Sequence, residues 1–333
     1  MTPLESPPLL DLHQVERSLA ERGGVLRREK RRIQILDQVD LSVREGEVFG
    51  LAGESGCGKT TLARVVMRLL TPTAGELDLA GTAYDEWARR PRRDFYRQIQ
   101  MVFQDPYASL NPRLRVRRIL GEMLAIHKMD IHGLAAGSRE EACAEMLEAV
   151  GLSAADLEKY PHEFSGGQRQ RIAIARALII RPRLLVADEP VSALDLAVQQ
   201  RIVDLLAAMK ARLALTLLFI SHDLNLMAAF CDRIGVMYAG RLMEVLPGDR
   251  LLDAGCHPYV EGLLDSIPIA DPRLRGERRQ VLEGEVPAPG ARIPGCPFHP
   301  RCPRRFAPCD QVRPELALTE SGHWVACHLF TNA

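Results

Sequence analysis

Residues 53–60 read Gly-Glu-Ser-Gly-Cys-Gly-Lys-Thr, which is a glycine, four further residues and then Gly-Lys-Thr. An apolar run, 48–52, precedes this segment, and a run with helical periodicity, 61–70, follows it. In such a strand–loop–helix context, glycines let successive backbone N–H groups turn toward one bound phosphate, and the helix N-terminus adds partial positive charge. The pattern predicts a phosphate-binding loop in which Lys59 reaches nucleotide phosphates and the Thr60 hydroxyl binds Mg²⁺.

The composition is that of an ordinary globular protein, with 47% hydrophobic and 26% charged residues. Lys and Arg number 43, as do Asp and Glu, so the zero net charge gives no support for nucleic-acid binding. No apolar run approaches the ~20 residues of a membrane span, and the first residues do not resemble a secretion signal. We therefore expect a cytosolic chain whose eight Cys are thiols or metal ligands rather than disulfides.

Alternating strand-like and helical runs predict an α/β fold. Residues 1–32 are polar and irregular, and we interpret the basic run 27–32 at their end as a solvated loop. Apolar strand-like runs at 184–187 and 215–220 are typical of a buried parallel sheet. The pattern from 116 to about 161 is helical, which predicts a helical insert of roughly 50 residues.

The strand-like run at 184–187 ends in two carboxylates, Asp188 and Glu189. Asp188 is placed to bind Mg²⁺. Glu189 is placed to polarise a water against the γ-phosphate as a general base, a role that commonly contributes ~10²–10⁴-fold in rate. His222 follows the next strand-like run, at the end where open α/β sheets place ligands. A solvated turn and a structural histidine are the alternatives here.

Ser165, Gly166, Gly167 and Gln168 stand at the head of a helical run. A serine in that position predicts an N-cap. The two glycines after it are equally compatible with a second anion site at the helix N-terminus. The four residues alone do not separate these alternatives.

Taken in order, these motifs and Gln104 resemble those of the ATPase subunit of an ATP-binding cassette (ABC) transporter, over residues 33–245. The resemblance implies a P-loop NTPase fold, with a RecA-like parallel sheet core, an antiparallel β subdomain and a helical insert. The implied organisation is a polar segment 1–32, an ATPase domain 33–255 with a helical subdomain at about 115–165, and an irregular Cys-containing extension 256–333.

The resemblance also implies a head-to-tail dimer, with ATP between the phosphate loop of one subunit and the Ser-Gly-Gly-Gln signature of the other. Glu189 would be the catalytic base and His222 would hold the γ-phosphate. Gln104 would sense Mg²⁺ or the attacking water and couple the site to a permease. The implied ATP-binding residues are Gly53, Ser55, Gly56, Gly58, Lys59, Thr60, Thr61, Ser165, Gly166, Gly167, Gln168, Asp188 and, at the dimer seam, Asp195. The implied Mg²⁺ ligands are Thr60, Gln104 and Asp188.

Two further predictions concern the contact with adenine and the reactivity of Cys57. Members of the family usually stack adenine on an aromatic residue upstream of the loop, but residues 1–48 contain no Phe, Tyr or Trp. The matching region is near Ser18 and Leu19, so the adenine contact is expected to be aliphatic, to use an Arg plane, or to be weak. Cys57 lies beside a lysine and a helix N-terminus, which predicts a lowered thiol pKa and sensitivity to alkylation.

The segment after residue 256 indicates which group of ABC transporter ATPases the chain resembles. Its Cys- and Pro-rich stretch, 295–303, is similar to the extension of peptide, opine and nickel importer ATPases, the oligopeptide and dipeptide permease group. This similarity implies that the chain powers the import of peptides or a related solute. The implied partners are a second, non-identical ATPase, two membrane permeases and an extracytoplasmic solute-binding protein, and nucleic acid is not among them. It also implies a peripheral position at the cytoplasmic face of the bacterial inner membrane.

Four Cys lie in this extension, separated by five, six and seventeen residues. A segment so rich in Pro and so poor in apolar residues could be ordered by a thiolate–metal clip. The resemblance implies a [4Fe–4S] cluster, with Zn²⁺ or free reduced thiols as the alternatives. The four Cys are Cys296, Cys302, Cys309 and Cys327, and the histidines that keep zinc open are His299, His323 and His328.

Two other classes of function compete with import. Soluble ABC proteins that act on DNA or ribosomes generally carry two cassettes or a long coiled coil, whereas this sequence has one phosphate loop and no sustained heptad. A metal-cluster sensor that uses ATP as a signal would show a damaged base or signature, whereas Glu189 and Ser165 are both present. We therefore expect a hydrolysing subunit of an importer.

Overall fold

The computed structural model describes residues 7–20, 32–105, 109–128, 137–192, 194–267, 282–285, 287–288, 290–291 and 293–330. The chain forms two compact units. The first comprises Met1–Leu10, Val43–Val48 and Asp78–Ile220, and the second comprises Asp11–Ser42, Phe49–Leu77 and Ser221–Ala333.

The strands are β1 (Pro8–Ala20), β2 (Arg32–Arg44), β3 (Val48–Ala52), β4 (Ala74–Leu79), β5 (Thr82–Ala83), β6 (Ile99–Val102), β7 (Leu184–Asp188), β8 (Thr216–Ile220), β9 (Arg233–Tyr238), β10 (Arg241–Pro247), β11 (Ala317–Leu318) and β12 (Trp324–Val325). The helices are α1 (Lys59–Val66), α2 (Tyr84–Arg89), α3 (Arg92–Gln98), α4 (Val116–Ile126), α5 (Arg139–Ala149), α6 (Gly166–Leu178), α7 (Leu196–Leu213), α8 (Leu224–Phe230), α9 (Leu251–Ala254) and α10 (Pro258–Asp265).

A parallel sheet of β6, β7 and β8 forms the core of the first unit. Leu184 on β7 lies between Ile99 on β6 and Thr216 on β8. Each parallel connection contains a helix, α6 before β7 and α7 before β8. Every residue of β7 and β8 is buried, which explains why these strands read as continuous apolar runs rather than as an alternating pattern.

The predicted helical insert of the first unit contains α4 and α5, and residues 129–136 between them lie outside the described residues. Helix α4 buries Val116, Ile119 and Leu120, a stripe with helical spacing. Helix α5 begins after Ser138, whose side chain accepts a hydrogen bond from the backbone N–H of Glu141. The two helices pack against each other and against α6. Among the described helices, none combines the length and apolar character that a membrane crossing requires.

The second unit contains the strands that carry the phosphate loop. Strand β3 pairs in parallel with β9, β9 pairs antiparallel with β10, and β12 extends the sheet beyond β10. The pair β3–β9 begins at Phe49 and Arg233 and ends at Ala52 and Val236. All five residues of β3 are buried. The phosphate loop therefore leaves a strand that is buried along its whole length.

The interpretation of residues 1–32 as irregular was wrong over the part that the structure describes. Strand β1 occupies this region and buries Leu10, Leu12 and Val15. The φ of Gln14 is 50°, and this left-handed backbone lies between Leu12 and Val15, whose burial departs from the period of two. A similar irregularity at Gln38, with φ 52°, lies within one continuous β2 where the sequence predicts a gap. Except for Arg32, the basic run 27–32 lies outside the described residues.

The extension, predicted to be irregular, contains regular elements at both ends of its described part. Helix α10 opens it, and β11 and β12 form an antiparallel pair near its end. Val325 on β12 lies opposite Glu244 on β10, so the extension joins the sheet of the second unit. Strands of two residues cannot display a recognisable alternation, which is why the sequence did not predict them.

Candidate functional site

The phosphate loop connects β3 to α1, as the sequence predicts. Gly53 and Gly58 have φ values of 142° and 113°, which residues with a Cβ rarely adopt. A Cβ on Gly53 would lie 2.2 Å from the carbonyl oxygen of Met237 at the end of β9. The close approach of loop and strand therefore requires glycine at this position.

Lys59, the first residue of α1, folds its side chain back into the loop. Its Nζ donates to the carbonyl oxygens of Gly53 at 2.7 Å and of Glu54 at 3.0 Å, and 6% of the residue is exposed. The ammonium thus lies inside the curve of the loop, where the predicted contact with nucleotide phosphates needs it. The hydroxyl-bearing residues Ser55 and Thr60 are exposed at the same loop.

The predicted low pKa of Cys57 was wrong. The residue is 2% exposed, and burial raises the pKa of its thiol even though the neighbouring Lys59 ammonium opposes that effect. Desolvation of the thiolate outweighs the favourable charge because the thiol lies beneath the loop rather than at its open side. Cys57 is therefore a buried neutral thiol and not an activated one.

The first unit brings Gln104 and Glu189 together. The Gln104 Nε2 donates to the Glu189 Oε2 at 3.0 Å, although 85 residues separate the two. Asp188 ends β7 and is 5% exposed. The φ of Glu189 is 48°, a backbone conformation that costs a non-glycine residue on the order of 1–3 kcal/mol. The Glu189 N–H donates to the carbonyl oxygen of Ile220 at 3.0 Å, which helps to hold the turn.

The Ser165 signature forms the N-terminus of α6. The Ser165 Oγ accepts from the Gln168 N–H at 3.4 Å, and the Gln168 Oε1 accepts from the Ser165 N–H at 3.0 Å, which makes a capping box. The predicted N-cap is confirmed, and the second anion site stays a prediction. A Cβ on Gly167 would lie 2.6 Å from Val198 in α7. Because Asp195 caps α7 through the Val198 N–H at 2.9 Å, the two helix N-termini are neighbours.

The remaining predicted residues divide between the two units. His222 is exposed after β8 and belongs, with the phosphate loop, to the second unit. Gln104, Glu189 and Ser165 belong to the first unit. Ser192 donates through its Oγ to the Glu189 carbonyl oxygen at 3.2 Å, and its neighbour Ala193 lies outside the described residues.

The expected adenine region contains a cavity of about 610 Å³ in the second unit. Ser18 lines it together with Gln34, Arg241 and Ile293, and none of its lining side chains in the described part of the chain is aromatic. Leu19 is 41% exposed at the end of β1. The expectation of an aliphatic or guanidinium contact with adenine stays a prediction.

The four Cys of the extension line a single cavity in the second unit. His257, Pro258, Phe298 and Phe306 contribute to its wall. All eight Cys of the chain are free thiols in this structure. The structure therefore brings Cys296, Cys302, Cys309 and Cys327 together across the separations that the sequence shows.

Two opposing effects act on the pKa of these thiols: burial raises it, and backbone N–H donors lower it. Burial raises the pKa of Cys296 and Cys327 to about 11, and neighbouring Cys residues of the cavity add to the increase. Burial also raises the pKa of Cys302. Each of these three sulfurs accepts from the backbone N–H two residues further on, which lowers its pKa in part. The donors are Phe298 for Cys296, Arg304 for Cys302 and Leu329 for Cys327.

The three candidate histidines do not share this cavity. His299 and His328 line it, but His323 does not. The His323 Nδ1 lies 3.3 Å from the Glu244 Oε1 and 3.7 Å from the Cys256 Sγ. Glu244 is fully buried and accepts from the backbone N–H groups of Cys256 and His257. This buried group was not anticipated from the sequence, and zinc in the cysteine cavity stays a prediction, with His299 and His328 but not His323 in the wall of that cavity.

A family model described as "ABC transporter" matches residues 36–192, and one described as "Oligopeptide/dipeptide transporter, C-terminal region" matches residues 243–309. The putative oligopeptide transport ATP-binding protein YkfD of Bacillus subtilis (strain 168) is 48% identical over 307 residues, 92% of this chain and 92% of the relative. The chain belongs to the ABC transporter ATPase family. The resemblance inferred from the motifs is thereby confirmed, and ATP hydrolysis is the activity of this ABC ATPase.

A further relative and a solved structure also resemble this ABC ATPase. The oligopeptide transport ATP-binding protein AppF of Bacillus subtilis (strain 168) is 42% identical over 99% of this chain and 100% of its own length. Among solved structures, a dimeric post-hydrolysis state of the ATP-binding cassette MJ0796 bound to ADP and Pi has a TM-score of 0.60 and 27% identity, covering 72% of this chain and 98% of that one. The P-loop NTPase fold predicted from the sequence is confirmed.

Two contacts that the extension makes with the phosphate loop of the ABC ATPase were not predicted from the sequence. Arg301 in the extension reaches Glu54 in the phosphate loop, with Nη1 2.7 Å from Oε2 and Nη2 3.2 Å from Oε1. Tyr259, also in the extension, accepts through its hydroxyl from the Glu54 N–H at 2.9 Å. No local pattern could reveal these contacts, because an arginine in a Pro-rich segment reads as a solvated charge.

Proposed function

We propose that this ABC ATPase powers the import of peptides across the bacterial inner membrane. The observation that carries the proposal is that similarity to oligopeptide transport ATP-binding proteins continues through both the cassette and the extension, as with AppF at 42% identity over 99% of the chain. The catalytic set supports it, because Lys59, Gln104, Glu189 and His222 are all retained. These four residues fit a subunit that hydrolyses ATP rather than one that only senses the nucleotide.

The reaction is an in-line attack of water on the γ-phosphate, which needs positioning and charge stabilisation rather than covalent chemistry. Lys59 neutralises phosphate charge from inside the loop, and the N-terminus of α1 adds its dipole. Glu189 accepts the proton of the attacking water. Gln104 holds the Glu189 carboxylate through the 3.0 Å hydrogen bond. His222 contacts the γ-phosphate in this proposal.

The predicted magnesium ligands fit the ion in their chemistry. Thr60, Gln104 and Asp188 offer a hydroxyl, an amide and a carboxylate oxygen, and Mg²⁺ prefers oxygen donors. When bound, Mg²⁺ would supply positive charge that offsets the charge developing on the phosphates. The chain's own contribution is Asp188, which burial at the end of β7 keeps in one orientation.

We further propose the assembly in which this subunit works. Its partner is a second, non-identical ABC ATPase arranged head to tail, so that Ser165 and Gly167 complete the partner's site and Asp195 lies at the seam. Two membrane permeases and an extracytoplasmic solute-binding protein complete the importer, which places this chain at the cytoplasmic face of the inner membrane. The name of the chain's relative AppF, an oligopeptide transport ATP-binding protein, supports the permeases and the binding protein.

Deleting the gene is expected to reduce uptake of a radiolabelled tripeptide by whole cells, because permeases without their ATPase cannot complete a transport cycle. Initial uptake rates would be measured before and after complementation. A wild-type copy should restore uptake, whereas a Glu189→Gln copy should not. Uptake of a labelled free amino acid serves as the control. Unchanged uptake of both dipeptides and tripeptides in the deletion strain would argue against a peptide cargo.

For the extension, we propose that Cys296, Cys302, Cys309 and Cys327 hold a [4Fe–4S] cluster, with Zn²⁺ as the alternative. Four thiols line one cavity, and all-thiolate coordination is the usual ligand set of such clusters. Backbone N–H groups already point at three of the sulfurs, and donors of this kind stabilise metal-bound thiolates. The cluster would supply a bridge that orders the extension, while the chain's donors hold the thiolates.

Anaerobic purification is expected to yield a chain with broad absorption near ~400 nm and roughly four irons. Cys302→Ser should lose most of this absorption because it removes one of four ligands. Cys143→Ser is the matched control, since Cys143 is a buried free thiol on α5. Iron, acid-labile sulfide and zinc would be assayed on all three proteins. If the wild-type protein contained zinc but no iron, the zinc alternative would replace the cluster. If it contained no bound metal, both alternatives would be contradicted.

A further inference from the structure

Glu54, in the second position of the phosphate loop, has all its polar groups engaged. Its N–H donates to the Tyr259 hydroxyl at 2.9 Å, and its carbonyl oxygen accepts from the Lys59 Nζ at 3.0 Å. Its carboxylate accepts two hydrogen bonds from Arg301, at 2.7 and 3.2 Å. Both Tyr259 and Arg301 belong to the extension rather than to the cassette, so the loop is held from outside its own motif.

The Arg301–Glu54 pair is built to be rigid. The side chain of Arg301 is 6% exposed and that of Glu54 is 21% exposed. The guanidinium donates from two nitrogens to the two carboxylate oxygens, a paired geometry that fixes orientation as well as distance. Removing one partner of such a pair leaves a buried charge without compensation, which is strongly unfavourable. The contact is therefore a constraint on the loop and not an incidental surface ion pair.

An aromatic cluster contains Tyr259 and lies against Arg301, whose guanidinium carbon is 5.8 Å from the centroid of the Tyr238 ring. The rings of Tyr238, Tyr259 and Phe298 lie with centroids 4.7–5.3 Å apart, and all three residues are fully buried. Phe298 also lines the cysteine cavity. Arg301 directly precedes Cys302 in the sequence. The cavity and the phosphate loop thus share one continuous set of packed side chains.

We propose that Arg301 and Tyr259 are positioning residues for the phosphate loop, through which the cysteine cavity influences the affinity for MgATP. The proposal rests on the proposed function, because it assumes that the loop binds ATP. Glu54 transmits the effect, since its carbonyl oxygen orients the Lys59 ammonium while its N–H and carboxylate are held by the extension. Neither residue touches the nucleotide in this proposal.

Arg301→Ala is expected to raise the Kd of the full-length chain for MgATP about tenfold, within the range typical of coupling between sites. Tyr259→Phe should also raise the Kd for MgATP. Because this substitution removes a single oxygen atom, the test remains valid if Arg301→Ala folds poorly. Arg301→Lys should restore only part of the affinity because the ammonium lacks the paired donors. At saturating MgATP, kcat should change much less than KM.

Arg250→Ala provides the matched control. Arg250 is an exposed arginine of the same unit, lies outside the phosphate loop, and lines neither the cysteine cavity nor the cavity near Ser18. Its removal should leave the Kd unchanged. If Arg301→Ala and Tyr259→Phe bind MgATP as tightly as the wild type, the positioning role is wrong. If the wild-type chain itself binds no MgATP, the proposed function fails instead, so the two failures are distinguishable.

A second measurement tests the link to the cysteine cavity. Cys302→Ser is expected to raise the Kd for MgATP in the wild-type background and to add nothing in the Arg301→Ala background, because both act through the same contact. Additive effects, or no effect of Cys302→Ser on the wild type, would overturn the role of the cavity. The readout is equilibrium nucleotide binding, which does not require turnover.

Discussion

Replacing Glu189 by Gln is expected to stop ATP turnover by this ABC ATPase while leaving MgATP binding intact. The amide has the same length and shape but cannot accept the proton of the attacking water, so the loss should be about 10²–10⁴-fold in kcat. The left-handed backbone at this residue, with φ 48°, carries the same cost in both proteins. A Gln side chain still offers an oxygen to the Nε2 of Gln104, so the local geometry is retained.

The measurement pairs phosphate release with equilibrium nucleotide binding. Glu45→Gln is the matched control, because Glu45 lies in the same unit but is exposed and pairs with Arg183 at 2.8 Å. It should leave both quantities unchanged. Near-normal turnover by Glu189→Gln would remove Glu189 as the base. Loss of binding along with turnover would show instead that the substitution disturbs the site as a whole.

Replacing Ser165 by Arg is expected to impair the partner's nucleotide site more than the subunit's own. In the proposed head-to-tail arrangement, the N-terminus of α6 would face the phosphate of the ATP bound by the partner. An arginine there would fill that space and remove hydrogen-bond donors from reach, and the loss of one such group commonly costs about 10²-fold in rate. The affected phosphate loop would be the one on the other chain.

Nucleotide trapped with vanadate and cross-linked to each subunit of the assembled importer would measure this effect separately for the two sites. Ser165→Ala is needed beside it, because Ser165 also caps α6 and loss of a cap alone costs about 0.5–2 kcal/mol. The alanine variant removes the cap without adding bulk. Reduced labelling confined to the subunit that carries Ser165→Arg would argue against the head-to-tail dimer.

Motifs that are local in sequence were predicted reliably. The phosphate loop, the buried strand that ends at Asp188 and the N-cap at Ser165 each depend on a few consecutive residues, and each lies where the sequence places it. The contact between Gln104 and Glu189 joins distant residues. The sequence did not predict this contact: the family resemblance gave each residue a role in ATP hydrolysis, and periodicity carries no long-range information.

The errors have physical causes that single residues illustrate. Strand β1 was missed because the left-handed backbone at Gln14 interrupts its alternation. The pKa of Cys57 was misjudged because a sequence shows the neighbouring lysine but not the burial that outweighs it. His323 was grouped with the four Cys by proximity in sequence, whereas folding pairs it with Glu244 on β10. In each case tertiary burial or pairing decided the outcome.

The contact between Arg301 and Glu54 also sets an order of events during biosynthesis. The two residues are 247 positions apart, and at about 5–20 residues per second a ribosome needs roughly 12–50 s to make the chain between them. During that time the nascent cassette carries its complete phosphate-loop sequence but not the arginine that holds Glu54. Competence for tight ATP binding therefore arrives late in synthesis, with the completion of the extension.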